Sequence, residues 1–201
     1  MLKKIILFML SVSSIYAMHT AEINVNEYDL EAGVKLDVGQ FNTTVEPDTT
    51  FIGVYYLKGS GENDSLGGDN NDVNSYVNFN FIVKQKIQGT NFQVGLGIKA
   101  AYTSTDTLDY MALPIGAELS YTLPTNSVIP VGLKVAASYA PQSLSFLDAK
   151  DYIDYRLEAY AQLMDRASLY IGYRNIDTNY EDTSVDYTYN KSGYFGIKFS
   201  F

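Results

Sequence analysis

Charged side chains recur at every second residue in several parts of this chain. Asp154, Arg156 and Glu158 form one such run, and Asp29, Glu31, Lys35 and Asp37 keep the same parity in another. Lys84, Lys99, Glu118, Lys134, Arg174 and Lys198 stand in segments of the same spacing. Residues two apart in a strand share a face. These six acids and seven bases, gathered on such faces, would nearly neutralise one another. The chemistry open to them is structural ion pairing or the mixed-charge lining of a narrow water-filled pore.

Catalysis has less to work with. The chain holds one histidine, His19, and no cysteine, so a Ser-His-Asp arrangement, a Cys-ligated metal and a disulfide framework are not expected. Asp154 and Glu158 could pair as acid and base, but Arg156 between them makes an ion-pair cluster the better reading. No Gly-rich phosphate loop or metal-ligand spacing is present. Acidic residues crowd 59–74, 103–110 and 175–186, where carboxylates suit Ca²⁺ or Mg²⁺. Gly68-Asp69-Asn70-Asn71-Asp72 looks faintly like a calcium loop, without the glycine and distal Glu of an EF-hand. We therefore expect no enzyme activity, no cofactor and no specific metal. A net charge of −9 leaves no footprint for nucleic acid.

The elements that must carry these charges are strands. Apolar and polar residues alternate through 28–39, 92–102, 111–121, 129–139, 153–163 and 167–174, with no competing helical period. Segments 49–58 and 75–86 are less clean, and 187–201 closes the chain. A tenth strand at 21–26 would turn tightly near Asn26-Glu27. The fold predicted is all-β: one antiparallel up-and-down transmembrane β-barrel of ten strands, eight being the alternative. Long connections alternate with short ones such as Gly89-Thr90-Asn91, the asymmetry of outer-membrane barrels. A soluble barrel would turn the same apolar faces inward. Aromatic belts favour lipid: Tyr102, Tyr139 and Tyr173 at the outer ends of apolar faces, Phe92, Tyr121 and Phe201 at the inner ends.

The two ends of the chain agree. Lys3 and Lys4, the apolar run from Ile5 to Leu10 and the small residue Ala17 read as a secretory signal peptide over 1–17, leaving 18–201 as the barrel. The run is far short of the ~20 residues of a spanning helix. In the last strand Phe195, Ile197, Phe199 and Phe201 share one face, and Tyr194, Gly196, Lys198 and Ser200 the other. Such an ending, with Tyr194 included, resembles the C-terminal assembly signal of bacterial outer-membrane barrels.

From Ser138-Tyr139-Ala140-Pro141-Gln142-Ser143-Leu144 onward the chain resembles the YfaZ family of small outer-membrane proteins. A strand like Tyr152 to Leu163 follows, then one like Ser168 to Asn175, then the closing Gly193 to Phe201. The absence of Trp and the acidic segment 59–74 depart from the pattern. The resemblance implies an exported outer-membrane barrel and supplies no catalytic or binding residues. Expected partners are outer-membrane lipid, lipopolysaccharide and the barrel assembly machinery of a Gram-negative envelope, with the protein itself a monomer. Three roles fit: a structural or surface barrel with a filled interior, a narrow passive channel, or a binder acting through its acidic loops.

Overall fold

Period-two alternation produces strands whose two faces differ, and such strands close into a cylinder when every edge finds a partner. The computed structural model describes residues 19–59, 75–104, 109–124, 129–180 and 186–201. The strands are β1 (Thr20–Val25), β2 (Asp29–Asp37), β3 (Thr50–Gly59), β4 (Tyr76–Lys86), β5 (Phe92–Ser104), β6 (Asp109–Ala112), β7 (Ile115–Thr122), β8 (Val131–Ala140), β9 (Ser145–Leu147), β10 (Ala149–Met164), β11 (Ala167–Tyr180) and β12 (Asp186–Ser200). Ten of them close an antiparallel barrel: each pairs with its neighbour in sequence, and β12 pairs with β1. β6 and β9 form an added ledge above β7 and β8. Following the register around the wall from Tyr102, through Tyr56, Ile23, Leu169 and Val131, returns to β5 near Thr90, about twelve residues lower. That stagger tilts the strands, so the short β1–β2 hairpin still reaches far up the wall.

The faces are inverted relative to a soluble protein. Leu96 is 64 % exposed and Ile171 63 %, whereas Glu31 is fully buried and Arg174 is 1 % exposed. An outer wall that apolar is matched to lipid, not to water. This excludes the soluble barrel with apolar faces turned inward.

Three strand boundaries differ from the sequence reading. The expected strand 111–121 is interrupted at Leu113-Pro114, because Pro114 has no N–H to give the ladder. β6 keeps the register of β7 against β5 but exchanges β8 for β9 on its other side. Between the expected strands 129–139 and 153–163 stands not a plain connection but a 3-10 turn at Gln142–Leu144, β9 and the start of β10. The segment 175–186 is mostly strand, with β11 running to Tyr180 and β12 starting at Asp186. The signal segment 1–17 and the acidic stretch 60–74, Gly68 to Asp72 included, lie outside the described residues.

Inside the barrel, four tyrosines lie flat on glycines of the neighbouring strand. Tyr55 covers Gly33, Tyr160 covers Gly132, Tyr170 covers Gly196 and Tyr194 covers Gly172. A Cβ at any of these glycines would fall within 2.2–2.5 Å of the ring. Only a residue without a side chain leaves room for a ring at that distance. On the wall formed by β3, β4, β5 and β7 the inward positions Gly53, Gly97 and Gly116 carry no such ring, and a small cavity lies beside Gly97 and Gly116.

Candidate functional site

The lumen is the one place where the inward charges meet, and it is built in layers. At the outer mouth, Tyr76, Tyr110, Tyr152, Tyr180 and Tyr189 pack with Leu57, Ile176 and four alanines into a buried cluster. The Tyr76 and Tyr152 hydroxyls bond to each other at 2.6 Å, and those of Tyr180 and Tyr189 do the same. Tyr110 reaches in from β6, its ring 5.5 Å from Tyr152 and 5.6 Å from Tyr189, and its buried hydroxyl has no partner among the described residues. Tyrosines can close a mouth in this way because the ring supplies apolar area and the hydroxyl can bond another of its kind.

Below the tyrosines sits a network centred on Glu31. Arg156 grips it with two bonds, Nη1 to Oε2 at 3.0 Å and Nη2 to Oε1 at 2.8 Å. Arg174 Nη1 donates to Oε2 at 2.7 Å, and Asn24 Nδ2 donates to the same oxygen at 2.7 Å. Arg174 Nε donates to Asn190 Oδ1 (2.7 Å), and Asn190 Nδ2 donates to Asp29 Oδ2 (2.6 Å). Such charge-assisted, bidentate bonding is what allows two guanidinium groups to leave water. Lys99 pairs with Asp154 at 2.5 Å beside this network, and Arg156 Nε stands 3.7 Å from the other Asp154 oxygen.

The half of the lumen toward the chain termini is looser. Lys84 pairs with Glu118, Lys134 with Glu158, and Lys35 with Glu22 at 3.5 Å. Tyr55 donates to Glu22 (3.0 Å) and Tyr194 to Glu158 (2.7 Å). Lys198 makes no ion pair among the described residues. A cavity of about 320 Å³ opens here, and a smaller one of about 90 Å³ lies against the bare glycine wall above it. Both are lined by Glu22, Lys35, Glu118, Lys134 and Glu158, so they form one vestibule ending under the Glu31 network.

At the rim, Asp37 is fully buried and accepts from Gly39 N (3.0 Å), Gln40 Nε2 (3.2 Å) and Asp48 N (2.9 Å). His19 Nδ1 accepts from Asp37 N (3.1 Å) and its ring stacks on Phe41 at 5.1 Å. That leaves His19 tying β1 to the turn after β2, away from any nucleophile described here. Burial pushes the Asp48 carboxyl above its usual range, and the Asp37 carboxylate adds to the effect. No group of three histidines or carboxylates suited to a metal gathers among the described residues.

The remaining sequence candidates sit as follows. Phe92 and Tyr121 pack with ring centres 4.5 Å apart, tilted by 34°, on the outer wall toward the end that holds the chain termini. Tyr102 and Tyr139 are about half exposed toward the other end, where Tyr173 faces Tyr155 at 6.3 Å. Phe195 and Phe199 face outward, Ile197 and Phe201 are half-buried, and Tyr194 turns into the lumen. The Phe201 N–H donates to His19 O (2.8 Å). Sequence reasoning missed Glu22, Asn24, Tyr55 and Asn190 as members of the networks. Glu22 and Asn24 carried a usable signal, the polar parity of 21–26. Asn190 carried one as well, since it shares the even parity of Tyr194, Gly196 and Lys198, whereas Tyr189 did not, because a bulge opposite Ile176 and Asp177 turns it inward too.

Two solved structures show likeness to the chain. One, described as "Unveiling the Mechanism Behind the in-meso Crystallization of Membrane Proteins", aligns with a TM-score of 0.40 at 9 % identity over 92 % of this chain and 83 % of its own. The other, the outer membrane channel DcaP of Acinetobacter baumannii, aligns with a TM-score of 0.38 at 9 % identity over 90 % of this chain and 54 % of its own. No curated protein matches the sequence. The family described as YfaZ precursor matches residues 7–201, nearly the full length, and the chain, an outer-membrane β-barrel of ten strands, belongs to the YfaZ family.

Proposed function

We propose that this protein is a non-enzymatic barrel of a Gram-negative outer membrane with a structural or surface role, its lumen closed by its own side chains. The observation that carries this reading is the stack of two seals. The tyrosine cluster lies over the Glu31–Arg156–Arg174 network, and Tyr110, Tyr152, Glu31 and Arg174 are each at most 1 % exposed. A hydrated ion has no room beside groups that water itself does not reach. In this reading the apolar wall takes outer-membrane lipid, the outer rim meets lipopolysaccharide, and the barrel assembly machinery inserts a monomer.

Ionic conductance across a planar bilayer tests it. The purified protein, confirmed as folded by the heat-dependence of its gel mobility, is expected to leave the membrane silent. Discrete steps whose ion selectivity shifts in Lys99→Glu or Lys134→Glu would replace the sealed barrel with a narrow channel.

A further inference from the structure

The vestibule is open toward the periplasm and closed above, which is the shape of a pocket. Its volume of about 320 Å³ lies at the small end of ligand sites, which run ~300–1,000 Å³. We infer that this vestibule binds a small anion from the periplasmic side, of the carboxylate or phosphate class, with Lys198 as its principal contact.

Charge accounting leads there. Each wall carboxylate already has a cation: Glu118 has Lys84, Glu158 has Lys134, and Glu22 has Lys35. Lys198 stands in register opposite Glu22 on β1 and Ser168 on β11. The Glu22 oxygens, however, are taken by Lys35 and the Tyr55 hydroxyl. That leaves one ammonium group, half-buried among hydroxyls, that shares the field of Glu22 and Glu158 but makes no ion-pair contact among the described residues. Thr20, one diagonal step away on β1, adds a buried hydroxyl that bonds to nothing among the described residues. At the rim Lys86 and Arg166 balance Asp48 and Asp165, so the excess of one positive charge persists through the whole lining. In a chain of net charge −9, this is a local positive well behind low-dielectric walls, which focuses the field on a small anion. The rings of Tyr160, Tyr170 and Phe51 in the same lining can hold an organic portion. An anion oxygen held by Lys198 would gain charge-assisted bonds that no protein group now supplies.

The test uses protein extracted from outer membranes into zwitterionic detergent, titrated calorimetrically with inorganic phosphate and with succinate at constant ionic strength. Saturable binding of at least one is expected, and which one binds assigns the class. Lys198→Met should raise Kd about tenfold or more, the loss expected for a charged hydrogen bond. Lys198→Arg should retain binding, and Lys191→Met on the exposed outer part of β12 should leave it unchanged. In the unaltered protein, the bound anion should also slow acylation of Lys198 by a small amine-reactive reagent, read by mass spectrometry. That second readout needs no variant to fold. The absence of saturable binding by either anion up to ~10 mM overturns the site, as does equal affinity in a folded Lys198→Met protein or an unprotected Lys198. Occupancy is read whether or not the barrel conducts, so failure here is distinct from failure of the sealed-barrel reading.

Discussion

At one end of the lumen five tyrosines close over alanines, Leu57 and Ile176, while at the end that holds the chain termini lysines and glutamates stand around open space. Both ends descend from the same alternating strands, so the alternation does not explain the difference. Distance from water does. Where the lumen is filled, the central carboxylate is held by several protein groups, as Glu31 is by Arg156, Arg174 and Asn24. Where the lumen is open, each carboxylate has one cation and at most one tyrosine hydroxyl, and water can supply the rest. The outer half is a seal and the inner half a solvated pocket.

The sharpest way to break that contrast is to remove one carboxylate from each half. Glu31→Ala takes the closest carboxylate from two buried guanidinium groups, leaving Arg156 only Asp154 at 3.7 Å and Arg174 only Asp29 at 3.5 Å, and should cost ~3–5 kcal/mol in urea unfolding of the micelle-bound barrel. Glu118→Ala, beside the cavity, should cost under ~1 kcal/mol, since water can reach Lys84. Equal losses at the two sites would mean that both halves are equally dry. A smaller effect is expected where rings lie on glycine. Gly172→Ala puts a Cβ 2.5 Å from the Tyr194 ring and should cost ~1–3 kcal/mol by overpacking. Gly193→Ala, with only a carbonyl at 3.8 Å, should be neutral by the same unfolding measurement.

Two milder substitutions refine the picture. Tyr110→Phe deletes a buried hydroxyl that has no partner among the described residues, so it should leave the seal intact and stabilise the barrel by up to ~1 kcal/mol. Tyr76→Phe, which loses the 2.6 Å bond to Tyr152, should destabilise by about that amount. A loss on Tyr110→Phe equal to that of Tyr76→Phe would show a hidden acceptor above Tyr110. At the rim, burial raises the Asp48 carboxyl, so the folded state holds its proton more tightly than the unfolded chain does. Folding is therefore favoured at low pH, and the penalty is fully present once pH exceeds the raised folded value. Asp48→Asn should remove that penalty and suits the positive φ of 62° at this position. Its gain should stay below ~0.5 kcal/mol near neutrality because the group is only partly buried, and should vanish in melts run below pH 4.

Much of the barrel could be read from the chain alone. Period two is a local property, so the parity of Glu31, Lys35, Lys99, Glu118, Lys134, Asp154, Arg156, Glu158 and Lys198 placed them on one side of their strands before any partner was known. The strand at 21–26 and its tight turn were legible too, the turn being closed by Asn26, whose side chain accepts from Tyr28 N and Asp29 N. The parts misread as loops share a cause. Beyond the membrane both faces of a strand meet water or other strands, so β11 after Tyr173 and the start of β12 show no alternation to detect.

What only the folded chain decided is which strand lies beside which, and therefore which charge meets which. Glu31 and Arg156 stand 125 residues apart and are joined by the curvature of a closed wall. Pro114 was visible as a break in hydrogen bonding, but its consequence, a ledge formed by β6 and β9 that carries Tyr110 over the mouth, depended on a partner more than thirty residues later. The bulge that turns Tyr189 inward beside Asn190, against the parity of the strand, left no mark in the residue pattern. Side-chain parity is set by the backbone of one strand, whereas pairing, bulges and the sealing of the lumen are set by the closure of all ten, which no single stretch of sequence contains.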